Sequence, residues 1–246
     1  MLGSILPMRQ EYANQLLADS HAGYEKIASD FSHTRGWFWP ELRFVADLIP
    51  KNGNLLDIGC GNGRFLTLLD QPKNDTEDTQ NISYTGIDFS ENLINVARER
   101  YAKRAQTNFI IGDALKLPFP NQSFDAVASF AVLHHIPSRA YRVQFLREAS
   151  RVAKPESLII LTAWNVWRAK PWTIVKFIFK KILRQTRTDF GDALLGFNNE
   201  KNTRFVHALT IYEIRSLARE ANLNIERIEK IRRPSGEENF FVMLRT

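Results

Sequence analysis

Three acidic residues, Asp57, Asp88 and Asp113, each stand at the end of a short apolar run of the sequence. In an open parallel sheet the carboxyl ends of the strands line one crevice, so three such acids would converge on a common ligand. Carboxylates accept hydrogen bonds from hydroxyl and amino groups and attract positive charge. No lysine stands among the three, which disfavours a phosphate-bearing ligand. The acids therefore predict a site for a cationic ligand.

The first acid opens a glycine-rich turn in which Gly59, Gly61 and Gly63 follow Asp57 at every second position. Glycine permits positive φ and lets the backbone approach a ligand closely. A helix starting near Arg64 would direct its N-terminal amides at that ligand. Dinucleotide folds use such glycines to bind a pyrophosphate, which a preceding carboxylate would repel. The turn thus favours S-adenosylmethionine (SAM), with its ammonium and sulfonium groups; a ligand-free turn and a NAD dehydrogenase are the alternatives.

The remaining cofactor contacts follow from position along the predicted sheet. Asp88, followed by Phe89, would accept hydrogen bonds from a ribose diol. Asp113 would accept one from the adenine amino group, with Ala114 packing on the ring. Ala131 begins the loop after the fourth apolar run, where a substrate would meet the cofactor. We predict a cofactor site built from Asp57, Gly59, Gly61, Gly63, Asp88, Phe89, Asp113, Ala114 and Ala131.

Two adjacent histidines, His134 and His135, lie in that loop. Neighbouring histidines can bind metal, act as bases or simply pack. Because the chain has one cysteine, Cys60, and no acid pair near the histidines, we predict no metal site. We expect His135 to be structural and His134 to touch substrate or cofactor. A single cysteine also excludes an internal disulfide, as expected of a cytoplasmic protein.

Apolar runs alternate with helical patterns from Leu55 onward, which is typical of a parallel α/β sheet. The predicted parallel strands are Asn54–Ile58, Tyr84–Ile87, Asn108–Ile111, Phe124–Ser129 and Leu158–Ala163, and the predicted helices are Gly63–Leu69, Glu91–Arg104, Arg139–Val152 and Thr210–Ala221. The N-caps are expected at Ser90, Ser138 and Thr210, the last with Glu213 completing a capping box.

Two further strands, Ile225–Ile231 and Phe240–Leu244, are separated by the turn Pro234–Gly236 and would pair antiparallel. The predicted fold is therefore α/β, with a doubly wound, seven-stranded, mostly parallel sheet that ends in an antiparallel hairpin. This is the Rossmann-like architecture of class I methyltransferases.

The 246 residues are enough for one large domain. We expect residues 1–50 to form an N-terminal helical lid segment, in which Tyr24, Ile27 and Phe31 recur at helical spacing. Residues 51–246 would form the SAM-binding domain, with a basic insertion at about 165–205. The polar stretch 71–81 is predicted to be a surface loop, and no run of about 18 apolar residues predicts a transmembrane helix.

Positive charge is concentrated in one stretch of the chain. The net charge is +6, and seven basic residues but no acidic one lie between Ser157 and Thr188. Such a face could meet a nucleic acid or an anionic membrane. The alternative is a solvated helix face.

Taken together, the sequence resembles the SAM-dependent methyltransferases that esterify carboxymethyluridine at the tRNA wobble position, over nearly the whole chain. The motifs LLDIGCGNGRF, GIDFSENLI and GDALKLPF are widespread among class I methyltransferases. More specific are YEKIASDFSHTR at residues 24–35, AVLHHIPSRAYR in the middle and RFVH at residues 204–207. One departure is Lys154–Ser157, which replaces the usual Lys-Pro-Gly-Gly turn.

The resemblance implies formation of a methyl ester on a substrate carboxylate. A carboxylate is already ionised at neutral pH and needs no general base, only a cation or donors that hold it in line with the methyl group. The candidates are Arg35, His134, Arg204 and His207, arginine being a natural bidentate partner. The resemblance further implies tRNA bound through the basic segment 168–187 and a possible small activator subunit.

Two other functions remain open. A small-molecule methyltransferase could act on a metabolite, quinone or lipid, with the amphipathic stretch Trp172–Leu183 lying on a membrane surface. A catalytically silent SAM-binding subunit could instead activate a partner.

Overall fold

The computed structural model describes residues 8–70, 81–196 and 203–246. Apart from Asn81, the predicted surface loop at 71–81 lies outside these residues. So do the first seven residues of the N-terminal segment and residues 197–202 of the basic insertion.

Seven strands form one sheet, as predicted. They are β1 (Asn54–Ile58), β2 (Ser83–Asp88), β3 (Thr107–Ile111), β4 (Phe124–Phe130), β5 (Ala153–Trp164), β8 (Asn224–Arg232) and β9 (Glu238–Arg245). Their order is β3-β2-β1-β4-β5-β9-β8; the first five run parallel, and β9 pairs antiparallel with both β5 and β8. Strand β5 begins five residues before the predicted Leu158, because Ala153 already pairs with Phe124 before a register shift.

The helices are α1 (Gln10–Thr34), α2 (Val45–Leu48), α3 (Leu66–Leu69), α4 (Glu91–Arg100), α5 (Arg139–Val152), α6 (Val166–Ala169), α7 (Pro171–Ile182) and α8 (Ile211–Glu220). Short 3₁₀ turns span Pro40–Leu42 and Leu133–His135. The predicted helix Gly63–Leu69 is reduced to α3, since Gly63 keeps a φ of +71° that no helix accommodates. Helix α4 also ends four residues earlier than predicted.

Side-chain caps fix the starts of three helices. The hydroxyl oxygens of Ser90, Ser138 and Thr210 accept hydrogen bonds from backbone N–H groups three residues later, as predicted. The capping box at α8 is only half formed, because the Glu213 carboxylate contacts His207 instead of turning back to its own cap.

The basic insertion contains a second, two-stranded sheet that the sequence did not predict. Strands β6 (Asp192–Gly196) and β7 (Thr203–His207) pair antiparallel, with Asp192 opposite His207. They pack with α7 on a small apolar core of their own, formed by Val166, Ile174, Ala193, Val206 and Ala208. Strand β7 also contacts α1 and the 3₁₀ turn Leu133–His135, which brings the insertion to the carboxyl end of the main sheet.

No helix in the described ranges is long and apolar enough to cross a membrane.

Candidate functional site

One large cavity, of about 690 Å³, lies at the carboxyl end of the main sheet. All five parallel strands contribute to its wall within one residue of their carboxyl ends, through Asp57, Asp88, Gly112, Phe130 and Trp164. Helix α1 and strand β7 close its other sides. This is the position at which open α/β sheets bind ligands.

The deepest carboxylate of the cavity is Asp57. It is 2% exposed, and its Oδ2 accepts a 2.7 Å hydrogen bond from the hydroxyl of Tyr84 on β2. Burial raises the pKa of Asp57 to about 7, although the Tyr84 hydrogen bond opposes that shift. Charging Asp57 in this setting costs free energy that a cationic ligand would offset.

Asp88 holds the glycine turn at the end of β2 through hydrogen bonds. Its Oδ2 accepts from the backbone N–H of Gly61 at 2.8 Å, and its Oδ1 accepts from that of Ser90 at 3.0 Å. Burial raises the pKa of Asp88 to about 6, against the effect of these hydrogen bonds. Among the described residues, no ion pair joins Asp57 or Asp88 to a basic side chain.

The turn glycines serve two purposes. Gly59, at φ +72°, lines the cavity, and a Cβ there would lie 2.3 Å from Cγ2 of Val132. A side chain at this position would therefore clash with the loop after β4. Gly63 does not line the cavity; a Cβ on it would press on the rings of Phe109 and Tyr101 at 3.0 Å, so its role is to let α4 and β3 pack closely.

Of the other predicted cofactor residues, four line the cavity and Asp113 does not. Gly61, Phe89, Ala114 and Ala131 line the cavity, and the Phe89 ring stacks on His21 with centroids 3.8 Å apart. Asp113 is exposed and outside the lining; its Oδ1 accepts from the backbone N–H of Leu115 at 2.8 Å. Its predicted bond to an adenine amino group remains a prediction.

The two buried carboxylates and the backbone turn fit SAM chemically. Asp57 offers an anion to an ammonium group, and Asp88 offers acceptors to a ribose diol. Within the described residues, no group of three or more His, Cys, Asp or Glu side chains is placed to hold a metal ion.

Part of the cavity lining is cationic, and the charge of Arg64 reaches Asp57. Arg35, Arg64 and Arg204 line the cavity together with Arg233. Arg233 is paired with Glu41 at 3.1 Å and with Glu237 at 2.5 Å. Arg35 lies over the ring of Phe31, with 4.8 Å from its Cζ to the ring centroid.

These arginines lie close enough for their positive charges to repel one another. Burial lowers the pKa of Arg35, and the charge of Arg204 lowers it further. Burial lowers the pKa of Arg64 to about 10, with Arg35 and Arg233 adding to the effect. Bringing an anion among these cations would relieve the repulsion.

A chain of hydrogen bonds positions Arg204. Nδ1 of His135 lies 2.9 Å from the backbone carbonyl of Phe205, so this nitrogen carries the proton. Nε2 therefore accepts from the Tyr24 hydroxyl at 3.1 Å, and the Tyr24 oxygen accepts from the Arg204 guanidinium. Burial lowers the pKa of His135 to about 4, so this ring is neutral at physiological pH.

His134 also lines the cavity and is almost completely buried. Its Nδ1 accepts from the backbone N–H of Trp164 at 3.2 Å, which leaves Nε2–H as the donor that the ring can offer. Burial lowers its pKa well below the usual range. Because the acceptor nitrogens of His134 and His135 are both engaged, neither ring is suited to remove a proton. His134 keeps an N–H donor, and His135 positions Tyr24.

His207 is not brought to the cavity with the other three substrate candidates. Side chains alternate along a strand, so Arg204 and His207, three residues apart on β7, point to opposite faces. Nδ1 of His207 lies 2.6 Å from Asp192, and Nε2 lies 2.8 Å from Glu213. Burial and the charge of Arg142 lower the pKa of His207, but these two hydrogen bonds outweigh them and the net shift is upward.

Sequence reasoning missed several residues of the site, among them Tyr84 and Trp164, and underrated Arg64. Tyr84 resembled any core aromatic of a strand, and Trp164 lay at the end of an apolar run. Arg64 entered only as the start of a helix, yet its Cζ lies over the Trp39 ring at 4.6 Å and it faces the cavity. Its place directly after the glycine turn is the signal that could have identified it.

Comparison with known proteins identifies a methyltransferase domain in the first part of the main sheet. Residues 56–161 match the family described as a methyltransferase domain. The mouse tRNA (carboxymethyluridine(34)-5-O)-methyltransferase ALKBH8 is 33% identical over 144 residues, which are 58% of this chain and 19% of that protein. The Arabidopsis thaliana tRNA (carboxymethyluridine(34)-5-O)-methyltransferase is 31% identical over 144 residues, 58% of this chain and 32% of its own length.

This chain thus spans a third or less of the length of these curated relatives. Among solved structures, a complex between the Haloferax volcanii Trm112 methyltransferase activator and a methyltransferase matches with a TM-score of 0.66. The identity is 17%, and the match covers 92% of this chain and 96% of that one. At such identity the likeness concerns the fold alone. The chain carries a SAM-dependent methyltransferase domain of the class I fold.

Proposed function

We propose that this protein, in which residues 56–161 belong to a methyltransferase domain, uses SAM to form a methyl ester on a carboxylate-bearing wobble uridine of tRNA. The observation that carries the proposal is that one cavity is lined both by two buried carboxylates, Asp57 and Asp88, and by two arginines, Arg35 and Arg204. We call the first pair the acidic side and the second pair the cationic side. The first suits a cationic cofactor and the second an anionic acceptor. The two relatives named carboxymethyluridine(34) methyltransferases support the choice of acceptor.

The acidic side would bind the cofactor. Asp57 would hold the ammonium group, and Asp88 would accept hydrogen bonds from the ribose hydroxyls. SAM supplies a methyl carbon attached to a positively charged sulfur. The buried walls around Asp57 keep water out, which strengthens each electrostatic contact.

The cationic side would hold and aim the acceptor. A carboxylate is ionised at neutral pH, so no residue has to remove a proton from it. Arg204, fixed through Tyr24 and His135, would bind one carboxylate oxygen while Arg35 steadies the group from the side of α1. Nε2–H of His134 would add a donor. Holding the acceptor in line supplies most of the acceleration in a displacement of this kind.

The surface around the cavity is suited to an RNA substrate. Lys170 lines the cavity and belongs to the basic segment 168–187, which would contact tRNA phosphates. A small activator subunit is part of this proposal because the Haloferax volcanii structure is a complex with one. We place the protein in the cytoplasm, where tRNA is modified.

A methyltransferase for a lipid-borne acid is the second candidate, favoured by the exposed apolar side chains of α7. The same carboxylate chemistry would then act on a small molecule.

Tritiated SAM distinguishes these possibilities. The purified protein is incubated with bulk tRNA in one reaction and with a metabolite and lipid extract in another. Label in the tRNA supports the proposal, and label only in the extract supports the second candidate. Label in neither, with SAM bound, would identify a silent SAM-binding subunit and overturn both.

A further inference from the structure

Helix α7 presents an apolar stripe to solvent. Trp172, Phe179, Ile182 and Leu183 are 83, 59, 52 and 64% exposed. Their spacing of seven, ten and eleven residues from Trp172 places them on one side of the helix and its last turn. The four residues are called the outer stripe below.

The opposite side of α7 packs against the core of the insertion. Ile174 is completely buried in the core of the insertion, and Phe177 and Ile178 pack against that core. The outer stripe is thus a second apolar side that contributes nothing to this core. A contiguous apolar patch of this kind on a surface marks a binding site.

The charged residues of α7 and of the turn that follows it are all basic. Lys176 lies one turn after Trp172 on the same side, and Arg184 follows Leu183; both are exposed. No acidic residue occurs between Ser157 and Thr188. The surface that complements this one must therefore be anionic as well as apolar.

The composition of the outer stripe decides between possible occupants. Single-stranded RNA stacks its bases on aromatic rings, but Ile182 and Leu183 offer no ring. A second copy of the chain would bring Lys176 and Arg184 against the same cations, which repel. The boundary of an anionic bilayer accepts both components, since apolar side chains enter the acyl region while lysines and arginines meet the headgroups.

We propose that α7 docks on the surface of an anionic lipid bilayer through the outer stripe, with Lys176 and Arg184 at the headgroups. Trp172, at the start of the helix, would sit at the interface, where tryptophan is favoured. Lys176 and Arg184 belong to the basic segment 168–187, so lipid would take these two residues and leave Lys170, which lines the cavity, to the tRNA phosphates.

Vesicle flotation with the full chain tests the proposal. We expect the protein to float with vesicles of phosphatidylcholine and phosphatidylglycerol in equal parts and not with pure phosphatidylcholine. The double variant Phe179→Ser/Leu183→Ser should bind at least about tenfold more weakly, because two large apolar side chains no longer enter the bilayer. Tyr212→Ser removes an aromatic side chain that is 87% exposed on α8 and should bind like wild type.

A second measurement locates the contact. Brominated lipids should quench tryptophan fluorescence in the wild type and fail to do so in Trp172→Phe. Unchanged circular dichroism and thermal midpoint would show that each variant is folded. Wild-type binding by Phe179→Ser/Leu183→Ser would overturn the proposal, as would equal loss in Tyr212→Ser.

Two further outcomes would assign the outer stripe to another occupant and overturn the proposal. One is an absence of vesicle binding together with loss of anticodon stem-loop binding in Phe179→Ser/Leu183→Ser. The other is a wild-type dimer, seen by light scattering, that this variant converts to a monomer.

Discussion

The hydroxyl of Tyr84 donates a 2.7 Å hydrogen bond to Oδ2 of Asp57, at the edge of the cofactor side of the cavity. The two residues lie on neighbouring parallel strands, and Tyr84 is opposite Leu55 in the register. Burial alone would keep Asp57 protonated well above its usual pKa, and the Tyr84 hydrogen bond works against that. Tyr84 thus favours the anion that a cationic ligand requires.

Removing this hydroxyl should weaken SAM binding. In Tyr84→Phe the pKa of Asp57 rises further, and we expect the dissociation constant, measured by calorimetry at pH 7, to increase roughly tenfold, as for loss of one hydrogen bond to a charged group. Tyr101→Phe is the matched control, because the buried Tyr101 hydroxyl has no hydrogen-bond partner among the described residues. An equal effect of both substitutions would contradict this role for Tyr84.

The same carboxylates predict how cofactor binding depends on pH. Asp57 and Asp88, with pKa values of about 7 and about 6, lose their protons as the pH rises from 6 to 7.5. Affinity for SAM should increase over that range, which lies below the α-amino pKa of about 7.7–8.0. Asp57→Asn should bind SAM weakly and with a flatter pH profile, measured by the same titration.

As the pH rises, the stability of the ligand-free protein should decrease, whereas the affinity for SAM increases. A carboxyl whose pKa is raised on folding holds a proton that the unfolded chain releases, so stability falls as the pH rises from about 4 to about 7. Urea unfolding should show this fall in the wild type and less of it in Asp57→Asn. If Asp57 instead made the wild type more stable as the pH rises through this range, the raised pKa assigned to Asp57 would be contradicted.

The two arginines of the cationic side should affect methyl transfer and not cofactor binding. We expect Arg35→Ala and Arg204→Ala each to lower kcat/KM for the tRNA substrate by about 10- to 100-fold, since each removes a charge-assisted hydrogen bond. SAM affinity should change less than about twofold. Arg43→Ala, at an exposed arginine, is the control. Parallel loss of SAM affinity in Arg35→Ala would assign that residue to the cofactor instead.

We expect His207 to stabilise the fold rather than to take part in methyl transfer. It stands as a cation between Asp192 and Glu213, and its loss leaves two carboxylates facing each other, at a cost of about 3 kcal/mol of unfolding free energy in His207→Gln. Because its pKa is raised on folding, the stabilisation is complete below about pH 6.5 and is lost as the pH rises through the higher folded value. Urea unfolding at pH 6 and pH 9 measures both effects; a loss of kcat/KM without a loss of stability would instead place His207 at the substrate.

The register shift near the start of β5 offers a stabilising substitution. Glu156 has a φ of +61°, a left-handed conformation that glycine adopts without strain. Glu156→Gly should raise the free energy of unfolding by about 0.5–1 kcal/mol. Glu156→Ala removes the charge but keeps the strain and should give no gain. Equal stabilisation by both would show that charge rather than backbone strain is responsible.

Much of the sheet was predictable because its strands are apolar runs bounded by strong local signals. Ser138 caps α5 and Ser90 caps α4, so those helices begin where predicted. The small sheet of the insertion was not predictable in this way, because β6 and β7 are five residues each and lie in a basic context. Without its register, the motif at residues 204–207 suggested that Arg204 and His207 act together, whereas the strand places them on opposite faces.

The partners of buried polar groups were also beyond sequence reasoning. Tyr84 and Asp57 are 27 residues apart and meet only because β1 and β2 are neighbours. The link from His135 through Tyr24 to Arg204 joins three separate parts of the chain. Such contacts depend on tertiary structure, which local patterns do not contain.

Formation of a methyl ester on RNA is the central claim, and alkali tests it most directly. An anticodon stem-loop carrying carboxymethyluridine at the wobble position is incubated with the protein and methyl-labelled SAM, with the activator subunit added in a parallel reaction. We predict label in the RNA that mild alkali releases as volatile methanol, and no label in a stem-loop with unmodified uridine. Label that remains on the RNA after alkali, or that enters the unmodified stem-loop equally, would contradict the proposed function.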